Sequence, residues 1–557
     1  MTPRRTFSGL SDTQPSRAWN PLTLALLAGL WIAALPNWPL WRALLALPET
    51  SSTRGALFVI GFGLMIAALT ALLLTLLAWR QTIKPAIAAL LLAAAFGAHF
   101  MGSYGIVIDT TMMINVLQTN PREVRDLLNL RLLGSVLLLA GAPILLLWRA
   151  PVGGVGLLRQ GGRNLLGLVV LVLLLAALLF TLYADISATM RNHRTMRYLI
   201  NPVNSLYALA DLGVKSQARP SGPPLPIGAD ARIVPRAAGA KAPMLVLVVG
   251  ETARADHFAL NGYARPTNPA LAVLDVTSFR HVMSCGTSTA TSLPCMFSSL
   301  GKAGYESRSR DQENLLDLVQ RAGMAVLWLD NQAGCKGLCE RVPNASVRDA
   351  VAGVPALPAA LCEGQDCLDE ALLHGLDARI ASLPAAARAR GVLLVLHQMG
   401  SHGPAYFKRS SPERKPFQPE CTTNVLQRCD TKALVNAYDN SIVYTDHVLA
   451  QTIGWLTQQE TRYDTALLYL SDHGESLGEN NLYLHGLPYA VAPVEQKHVP
   501  MVLWQGPHAR AQGACLAGQR DAALTHDNLF HSTLGLLGIR ATEYKKSLDA
   551  FAACRAL

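Results

Sequence analysis

A short segment between two cysteines, residues 285–295, holds the side chains best suited to nucleophilic chemistry. It reads CGTSTATSLPC, is followed by a helix-like run at 296–300, and contains five hydroxyls: Thr287, Ser288, Thr289, Thr291 and Ser292. A hydroxyl at a helix N-terminus meets free backbone N–H groups and the positive end of the helix dipole, which favour an alkoxide and the anionic group it attacks. Our hypothesis is that Thr289 is the nucleophile, although local physics alone does not choose among the five.

Five apolar runs in the second half of the chain are typical of buried parallel strands. They cover 244–250, 325–329, 392–396, 466–470 and 500–504, with helical stretches between them, notably 432–458. Alternating strands and helices predict an α/β sandwich with a mostly parallel central sheet.

Polar residues of metal-binding type end four of these five runs: Glu251, Asp330 with Asn331, His397, and Asp472 with His473. Ligands gather at the carboxyl ends of parallel strands. Glu251, Asp472 and His473 together with Thr289 would supply three oxygens and one nitrogen, which suits a four-coordinate zinc ion. Helix capping or turn formation would explain any one of these residues but not the set.

The first third of the chain is apolar enough to span a membrane. Hydrophobic residues make up 51% of the chain and charged residues only 15%. Five spans are predicted, near 20–38, 55–79, 85–104, 132–148 and 164–183; the first could be a signal peptide, but it has no clear cleavage site. We therefore expect a cytoplasmic tail (1–19), a five-helix transmembrane domain (20–183), an amphipathic connector and linker (184–240) and a periplasmic catalytic domain (241–557).

Charge and cysteine usage bear on topology. Lys and Arg in the tail and in two of the loops predict a cytoplasmic N-terminus, so an odd number of spans puts residue 184 onward outside. All ten cysteines follow residue 280, which suggests five disulfides in an oxidising compartment. The pairs expected are Cys285–Cys295, Cys335–Cys339, Cys362–Cys367, Cys421–Cys429 and Cys515–Cys554. Half of a zinc cluster at 335–339 is the alternative, and no second half stands at suitable spacing.

The formal charge of +10 predicts anionic partners, such as a phospholipid surface or a phosphorylated substrate. No nucleic-acid-binding motif is present, so we expect no nucleic acid partner.

Two stretches flank the membrane spans. In the loop 104–130, Asn115, Thr119 and Glu123 recur every four residues and would share one helical face, although Pro121 interrupts an unbroken helix. They form either the polar face of interfacial helical pieces or a site for a lipid headgroup. Residues 191–209 are amphipathic and are expected to break at Pro202.

Four motifs in order make the chain resemble the phosphoethanolamine transferases that modify lipid A, in the alkaline phosphatase and sulfatase superfamily. They are GETARADH at 250–257, the 285–295 segment, HQMGSHGP at 397–404 and SDHGES at 471–476. The resemblance covers nearly the whole chain, including the five spans.

This resemblance implies that one catalytic zinc is bound by Glu251, Thr289, Asp472 and His473, with Thr289 as the phosphoethanolamine acceptor. It implies that Lys336 contacts the substrate phosphate, and that His402 and His485 lie around the phosphoethanolamine group or an additional zinc ion. It also assigns Asn115, Thr119 and Glu123 to the lipid headgroup, while the role of His397 stays open.

The expected activity is zinc-dependent transfer of phosphoethanolamine from phosphatidylethanolamine to a lipid A phosphate, by a monomer in a bacterial inner membrane. A lower negative surface charge and resistance to polymyxin would follow. The alternatives are transfer to a lipopolysaccharide core sugar or a periplasmic glucan, and a catalytically silent membrane-anchored binding module. A sulfatase is disfavoured because no Cys-x-Pro-x-Arg occurs, and a glycerophosphate transferase of the lipoteichoic acid type fits the dense cysteines poorly.

Overall fold

Long apolar helices dominate the first third of the computed structural model, which describes residues 18–119, 121–218, 222–364, 366–507 and 513–555. In chain order the helices are α1 (Pro21–Ala34), α2 (Trp38–Leu45), α3 (Thr53–Leu76), α4 (Ile83–Tyr104), α5 (Thr110–Gln118), α6 (Pro121–Leu127), α7 (Leu130–Arg149), α8 (Leu157–Asn192) and α9 (Val203–Ala218). The described part of the chain has four helices that are long and apolar enough to cross a bilayer, or five if the bent pair α1–α2 forms one span.

Two predicted spans differ from the structure in their extent. The first was predicted as one helix over 20–38, but α1 and α2 are separate and bent by 48°, because Pro36 and Pro39 interrupt helical hydrogen bonding. The last was predicted over 164–183, but α8 continues to Asn192 because residues 184–192 contain no proline or glycine. The predicted connector therefore begins inside a helix. Its predicted break at Pro202 is present, because α9 starts at Val203. The predicted tail lies almost entirely outside the described residues.

The chain forms two units, and the loop between α4 and α7 belongs to the second of them. The first unit comprises the chain up to Gly102 and Leu130–Leu206, and the second comprises Ser103–Asn129 and Tyr207–Leu557. Within the second unit, the Asp126 carbonyl accepts a hydrogen bond from Asn424 Nδ2 at 2.8 Å, and its carboxylate lies 3.4 Å from Arg409 Nη2. The predicted domain boundaries place this loop in the transmembrane domain, whereas in the structure it packs with the unit that contains the sheet.

An eight-stranded sheet organises the second unit, and the predicted α/β fold with a mostly parallel sheet is confirmed. Its strands are β1 (Ala242–Gly250), β2 (Val276–Met283), β3 (Ala325–Asp330), β4 (Asn344–Ser346), β5 (Val392–His397), β6 (Tyr463–Ser471), β7 (His498–Gln505) and β8 (Ala523–Thr525). The spatial order is β8-β2-β7-β6-β1-β5-β3-β4. Only β7 runs antiparallel to its two neighbours, so the remaining strand ends meet at shared edges.

Helices cover both faces of the sheet, which explains the continuous apolar sequence of its strands. They are α10 (Thr289–Met296), α11 (Gly301–Ser307), α12 (Leu315–Arg321), α13 (Leu376–Ala381), α14 (Ala385–Arg388), α15 (Thr431–Gln459), α16 (Gly513–Gly518) and α17 (Asp527–Leu537). Alternate β1 residues enter different cores: Leu245 shares one with α12 and α17, and Val246 shares the other with α15. β1 is thus buried on both sides, and its carboxyl end is held firmly.

Five disulfides complete this unit: Cys285–Cys295, Cys335–Cys339, Cys362–Cys367, Cys421–Cys429 and Cys515–Cys554. Since every cysteine is paired, the alternative of a cysteine zinc cluster at 335–339 is wrong.

Candidate active site

Three side chains of types that can bind a metal ion converge where two central strands end. Glu251 follows β1, and Asp472 and His473 follow β6, which pairs with β1 in parallel so that Gly250 lies opposite Ser471. One ligand atom from each of the three lies within 4.8 Å of the other two, and all three residues are buried. We call these three residues the strand-end cluster.

The Thr289 hydroxyl lies against this cluster. Ser288 has an extended backbone and Thr289 begins α10, so its side chain stands at a helix start, as the sequence predicts. Thr289 Oγ1 is 3.1 Å from Glu251 Oε1, 3.0 Å from Oε2, and 3.3 Å from His473 Nε2. The hydroxyl therefore has a carboxylate and an imidazole within reach of its proton.

The other four hydroxyls of the segment have different partners. Thr287 donates to the Leu487 carbonyl at 2.6 Å, and Ser292 donates to the carbonyl of Asp472. Ser288 donates to Thr291 Oγ1 at 3.3 Å. Within the described residues, Thr289 is thus the one hydroxyl of the five with a hydrogen bond to a side chain of the strand-end cluster; Ser292 reaches only the backbone carbonyl of Asp472.

A buried histidine fixes the 285–295 segment to the end of β6. His526 Nδ1 accepts from the backbone N–H of Cys285 at 3.1 Å, and its Nε2 lies 2.9 Å from the Ser471 carbonyl, to which it donates. Burial lowers the pKa of His526 to about 3, so the ring is neutral and both contacts are satisfied. Together with the Cys285–Cys295 disulfide, this ring sets the position of Thr289.

The strand-end cluster fits a divalent metal ion. Asp472 Oδ1 accepts from two backbone N–H groups, but Asp472 Oδ2 is fully buried and has no hydrogen-bond partner among the described residues. His473 Nδ1 lies 2.8 Å from the carbonyl of Gly474; it donates there, which turns the Nε2 lone pair toward the carboxylates. A buried carboxylate oxygen that accepts no hydrogen bond, together with a neighbouring imidazole nitrogen, is a set of ligand atoms suited to zinc.

The charges of the cluster shift its protonation strongly. Burial by itself lowers the pKa of His473, but Asp472 and Glu251 raise it to about 10. Burial and the charge of Glu251 raise the pKa of Asp472 to about 6. Burial opposes ionisation of Glu251 too, yet its contact with His473 holds the pKa well below the ordinary value. The carboxylates thus hold a positive charge beside them, and a metal ion would compete with the proton of His473.

Two further imidazoles lie beside His473. The ring centroids of His473 and His485 are 4.3 Å apart, and those of His485 and His402 are 5.7 Å apart. His485 Nδ1 lies 2.7 Å from Oε2 of the buried Glu475, whose other oxygen accepts from the Tyr406 hydroxyl. Burial raises the pKa of Glu475 to about 8. His402 and His485 therefore extend a row of imidazole rings that begins at His473 of the strand-end cluster.

Lys336 lies beside α10. It adopts a left-handed backbone conformation (φ 50°) inside the loop closed by the Cys335–Cys339 disulfide. Its side chain lines a cavity of about 470 Å³ with Ala290 and Pro294 of α10. Within the described residues it has no ion-pair partner, so its charge is available to an anion.

The predicted headgroup residues are only partly brought to the site. α5 packs against α10, but Ile114 and Gln118 line the cavity beside Lys336. Asn115 Nδ2 lies 3.9 Å from Met112 Sδ, and Thr119 donates to the Asn115 carbonyl at 2.7 Å, so these contacts are local. Glu123 lies in α6, which begins at Pro121, and its side chain is outside the described part of the chain.

Asp330 and His397 form a separate pair next to the cluster. Asp330 ends β3, His397 ends β5, and His397 Nδ1 is 2.9 Å from Asp330 Oδ2. His397 Nε2 is buried without a partner among the described residues. The residues at the strand ends thus do lie together, but they form two groups. The strand-end cluster contacts Thr289, and the Asp330–His397 pair does not.

Sequence reasoning missed several residues that support the site. Gln332 Nε2 donates to Glu251 Oε2 at 3.1 Å, and Thr252 Oγ1 donates to Glu251 Oε1 at 2.7 Å. Both follow strand ends, so the same rule applied one or two residues further would have found them. Glu475 stands inside a quoted motif, whereas Tyr406 and His526 come from distant loops and carry no sequence signal.

The chain is similar to known proteins over nearly its whole length. A family model described as Sulfatase matches residues 243–539, and one described as Phosphoethanolamine transferase EptA/EptB matches 65–216. The chain is 38% identical over 543 residues to Phosphoethanolamine transferase EptA of Salmonella typhimurium, covering 96% of each chain. It is 37% identical over 542 residues to Phosphatidylethanolamine transferase Mcr-1 of Escherichia coli, covering 95% of this chain and 97% of that one.

A solved structure agrees in fold along the same length. The integral membrane protein lipooligosaccharide phosphoethanolamine transferase A (EptA) from Neisseria meningitidis superposes with a TM-score of 0.89 at 32% identity. The match covers 96% of this chain and 98% of that chain.

Proposed function

Because the chain belongs to the EptA family and is a phosphoethanolamine transferase, we propose that it moves phosphoethanolamine from phosphatidylethanolamine to a phosphate of lipid A through Thr289. The observation that carries this proposal is the contact of Thr289 Oγ1 with Glu251 and His473. Membership in an enzyme family excludes the catalytically silent binding module.

Glu251, Thr289, Asp472 and His473 would hold one zinc ion. Zinc bound there would lower the pKa of the Thr289 hydroxyl and screen the charge that develops on the phosphoryl oxygens. Asp472 Oδ2, which is buried and accepts no hydrogen bond among the described residues, supports this assignment. His402 and His485 lie where they would contact the phosphoethanolamine group or an additional ion.

The reaction proceeds by two displacements at phosphorus. Thr289 Oγ1 attacks the phosphorus of phosphatidylethanolamine, a new O–P bond forms, and the P–O bond to diacylglycerol breaks. The proton of Thr289 passes to water, because Glu251 has a pKa below its ordinary value and would hold the zinc ion. The diacylglycerol oxygen takes a proton from one imidazole, that of His402 or His485. Phosphoethanolamine is then covalently attached to Thr289.

The acceptor reverses these steps. An oxygen of a lipid A phosphate attacks the same phosphorus, the bond to Thr289 breaks, and Thr289 Oγ1 recovers a proton from water. The imidazole that protonated diacylglycerol takes a proton from the attacking phosphate. Lys336, without an ion-pair partner among the described residues, would stabilise the negative charge of a phosphate in the adjoining cavity. Because α5 packs against α10, the loop with Asn115, Thr119 and Glu123 would bring a lipid headgroup toward the nucleophile.

The setting of the reaction follows from the same proposal. The enzyme would act as a monomer in a bacterial inner membrane, with a cytoplasmic N-terminus and its catalytic unit in the periplasm. Five disulfides fit that oxidising compartment. Added ethanolamine groups would reduce the negative charge of the cell surface and confer resistance to cationic peptides such as polymyxin.

Replacement of the nucleophile tests the proposal. The Thr289→Ala variant should lose transfer by at least about 1,000-fold, because the covalent route is removed. Full-length protein in vesicles with phosphatidylethanolamine and lipid A is assayed by mass spectrometry of the lipid, for a gain of one phosphoethanolamine, and of the protein, for the adduct.

Thr291→Ala is the matched control, because it removes a hydroxyl from the same helix without touching the strand-end cluster, and it should keep both signals. Undiminished transfer by Thr289→Ala would overturn the covalent mechanism. Modification of a core sugar or a glucan, with lipid A unmodified, would overturn the proposed acceptor.

A further inference from the structure

Thr252 holds an unusual backbone conformation directly after Glu251. Its φ is 61°, in the left-handed region, and the residue is fully buried. A β-branched residue rarely adopts this conformation, which is strained and persists only where its surroundings impose it. Here the Tyr438 hydroxyl donates to the Thr252 carbonyl at 2.7 Å, and Ser471 Oγ accepts from the next backbone N–H, that of Ala253, at 2.9 Å.

This conformation aims two donors of one residue at two different carboxylates. The backbone N–H of Thr252 donates to Asp472 Oδ1 at 3.2 Å, and its hydroxyl donates to Glu251 Oε1 at 2.7 Å. Since Glu251 and Asp472 end neighbouring strands, Thr252 connects the two carboxylates of the strand-end cluster across the gap between those strands.

The other hydrogen-bond partners of Glu251 and Asp472 show how Thr252 restricts the orientation of the two carboxylates. The second oxygen of Glu251 accepts from Gln332 Nε2, so both of its oxygens are engaged and rotation of the carboxylate is restricted. Asp472 Oδ1 accepts from the backbone N–H groups of Thr252 and His473, while Oδ2 is buried, accepts no hydrogen bond among the described residues and lies 3.5 Å from His473 Nε2. Thr252 therefore helps to determine which carboxylate oxygens face the position of a metal ion.

We propose that Thr252 is a positioning residue for the metal site, whose hydroxyl orients Glu251 and whose strained backbone orients Asp472. Hydrogen bonds from residues behind the ligands typically change metal affinity about 10- to 100-fold. The proposal rests on the proposed function for the identity of the metal, but not on the identity of the lipid acceptor.

Two substitutions separate positioning from packing. Thr252→Val keeps the shape and the β-branch and removes the hydroxyl, whereas Thr252→Ser keeps the hydroxyl and removes the methyl group. Zinc is removed from the purified full-length proteins with a chelator, and zinc affinity is measured by titration against a chromophoric competitor. Near-UV circular dichroism of the zinc-free proteins verifies that each variant is folded.

We expect Thr252→Val to bind zinc about 10- to 100-fold more weakly than the wild type, and Thr252→Ser to stay within about threefold. At saturating zinc, Thr252→Val should lower kcat and leave KM for the donor lipid unchanged, which a loss of packing does not produce. If Thr252→Val does not fold, Thr252→Ala takes its place in the same comparison with Thr252→Ser.

Wild-type zinc affinity in Thr252→Val would overturn the proposal, as would equal weakening in the Val and Ser variants, which indicates that the methyl group matters. The zinc titration is independent of transfer. Undiminished transfer by Thr289→Ala would therefore contradict the proposed function and leave the result for Thr252 standing.

Discussion

The strand-end cluster and a second group of site residues, Lys336, His402 and His485, are built in different ways. We call the second set the loop group. Glu251, Asp472 and His473 follow two central strands directly, so the sheet positions their backbone. The loop group has no such support: Lys336 depends on a disulfide loop with a left-handed turn, and His485 depends on the side chain of Glu475.

This difference suggests a division of labour. In the proposed mechanism the rigid cluster would serve bond making and breaking, which is the same for each turnover and tolerates little displacement. The loop group would contact the donor and acceptor lipids, a role that tolerates a less rigid backbone. The two groups should therefore respond differently to substitution, and the following experiments measure that difference.

The largest effect is expected in the strand-end cluster. Asp472→Asn removes one negative charge and the carboxylate oxygen that accepts no hydrogen bond, so zinc content should fall well below one ion per chain. Transfer should fall by about 100- to 1,000-fold or more. Metal analysis and the lipid assay are run together with Glu363→Gln, an exposed control on the same unit that should match the wild type. Full zinc content in Asp472→Asn would contradict the assignment of the cluster.

An intermediate effect is expected in the loop group. Lys336→Ala should weaken substrate binding by about 10- to 100-fold through the loss of a charge-assisted contact, while zinc content stays at the wild-type level. Initial rates at varied donor concentration would show a higher KM for Lys336→Ala. Lys336→Arg should restore part of the lost substrate affinity. Loss of zinc in Lys336→Ala would erase the proposed difference between the two groups.

The smallest effect is expected for His526, which connects the 285–295 segment to the end of β6. Because burial lowers its pKa to about 3 in the folded protein, while the unfolded chain has a value near 6.5, the unfolded state binds more protons below that pH. Stability from this residue is present above about pH 6.5 and is lost as the pH falls toward 3; the loss at pH 5 is about 2 kcal/mol.

Thermal unfolding of the full chain at pH 7 and pH 5 checks this prediction. His526→Gln should show a smaller drop between the two pH values than the wild type, whereas the exposed His281→Gln control should keep the wild-type drop. An equal drop in all three proteins would show that His526 is not the group responsible.

The sequence predicted the five strands of the sheet that contain a continuous apolar run and failed for its three others. β2 (VTSFRHVM) mixes polar and apolar residues, and β4 and β8 have three residues each, so none forms an apolar run. The strand ends were predictable because parallel strands bring their carboxyl ends to one edge. The support that Tyr406 and His526 give to the site was not predictable, because their contacts join loops that are far apart along the chain.

By itself, the sequence determined that this protein has apolar helices, an α/β unit with a mostly parallel sheet, and metal-binding residues at its strand ends, because those features follow from periodicity and local residue type. The choice of the hydroxyl that meets the cluster side chains came from the tertiary structure, in which Thr287, Ser292 and Ser288 donate to Leu487, to the backbone of Asp472 and to Thr291 instead. The tertiary structure also decided that Glu251 and Asp472 are joined through Thr252, since a left-handed turn at a threonine is imposed by its surroundings.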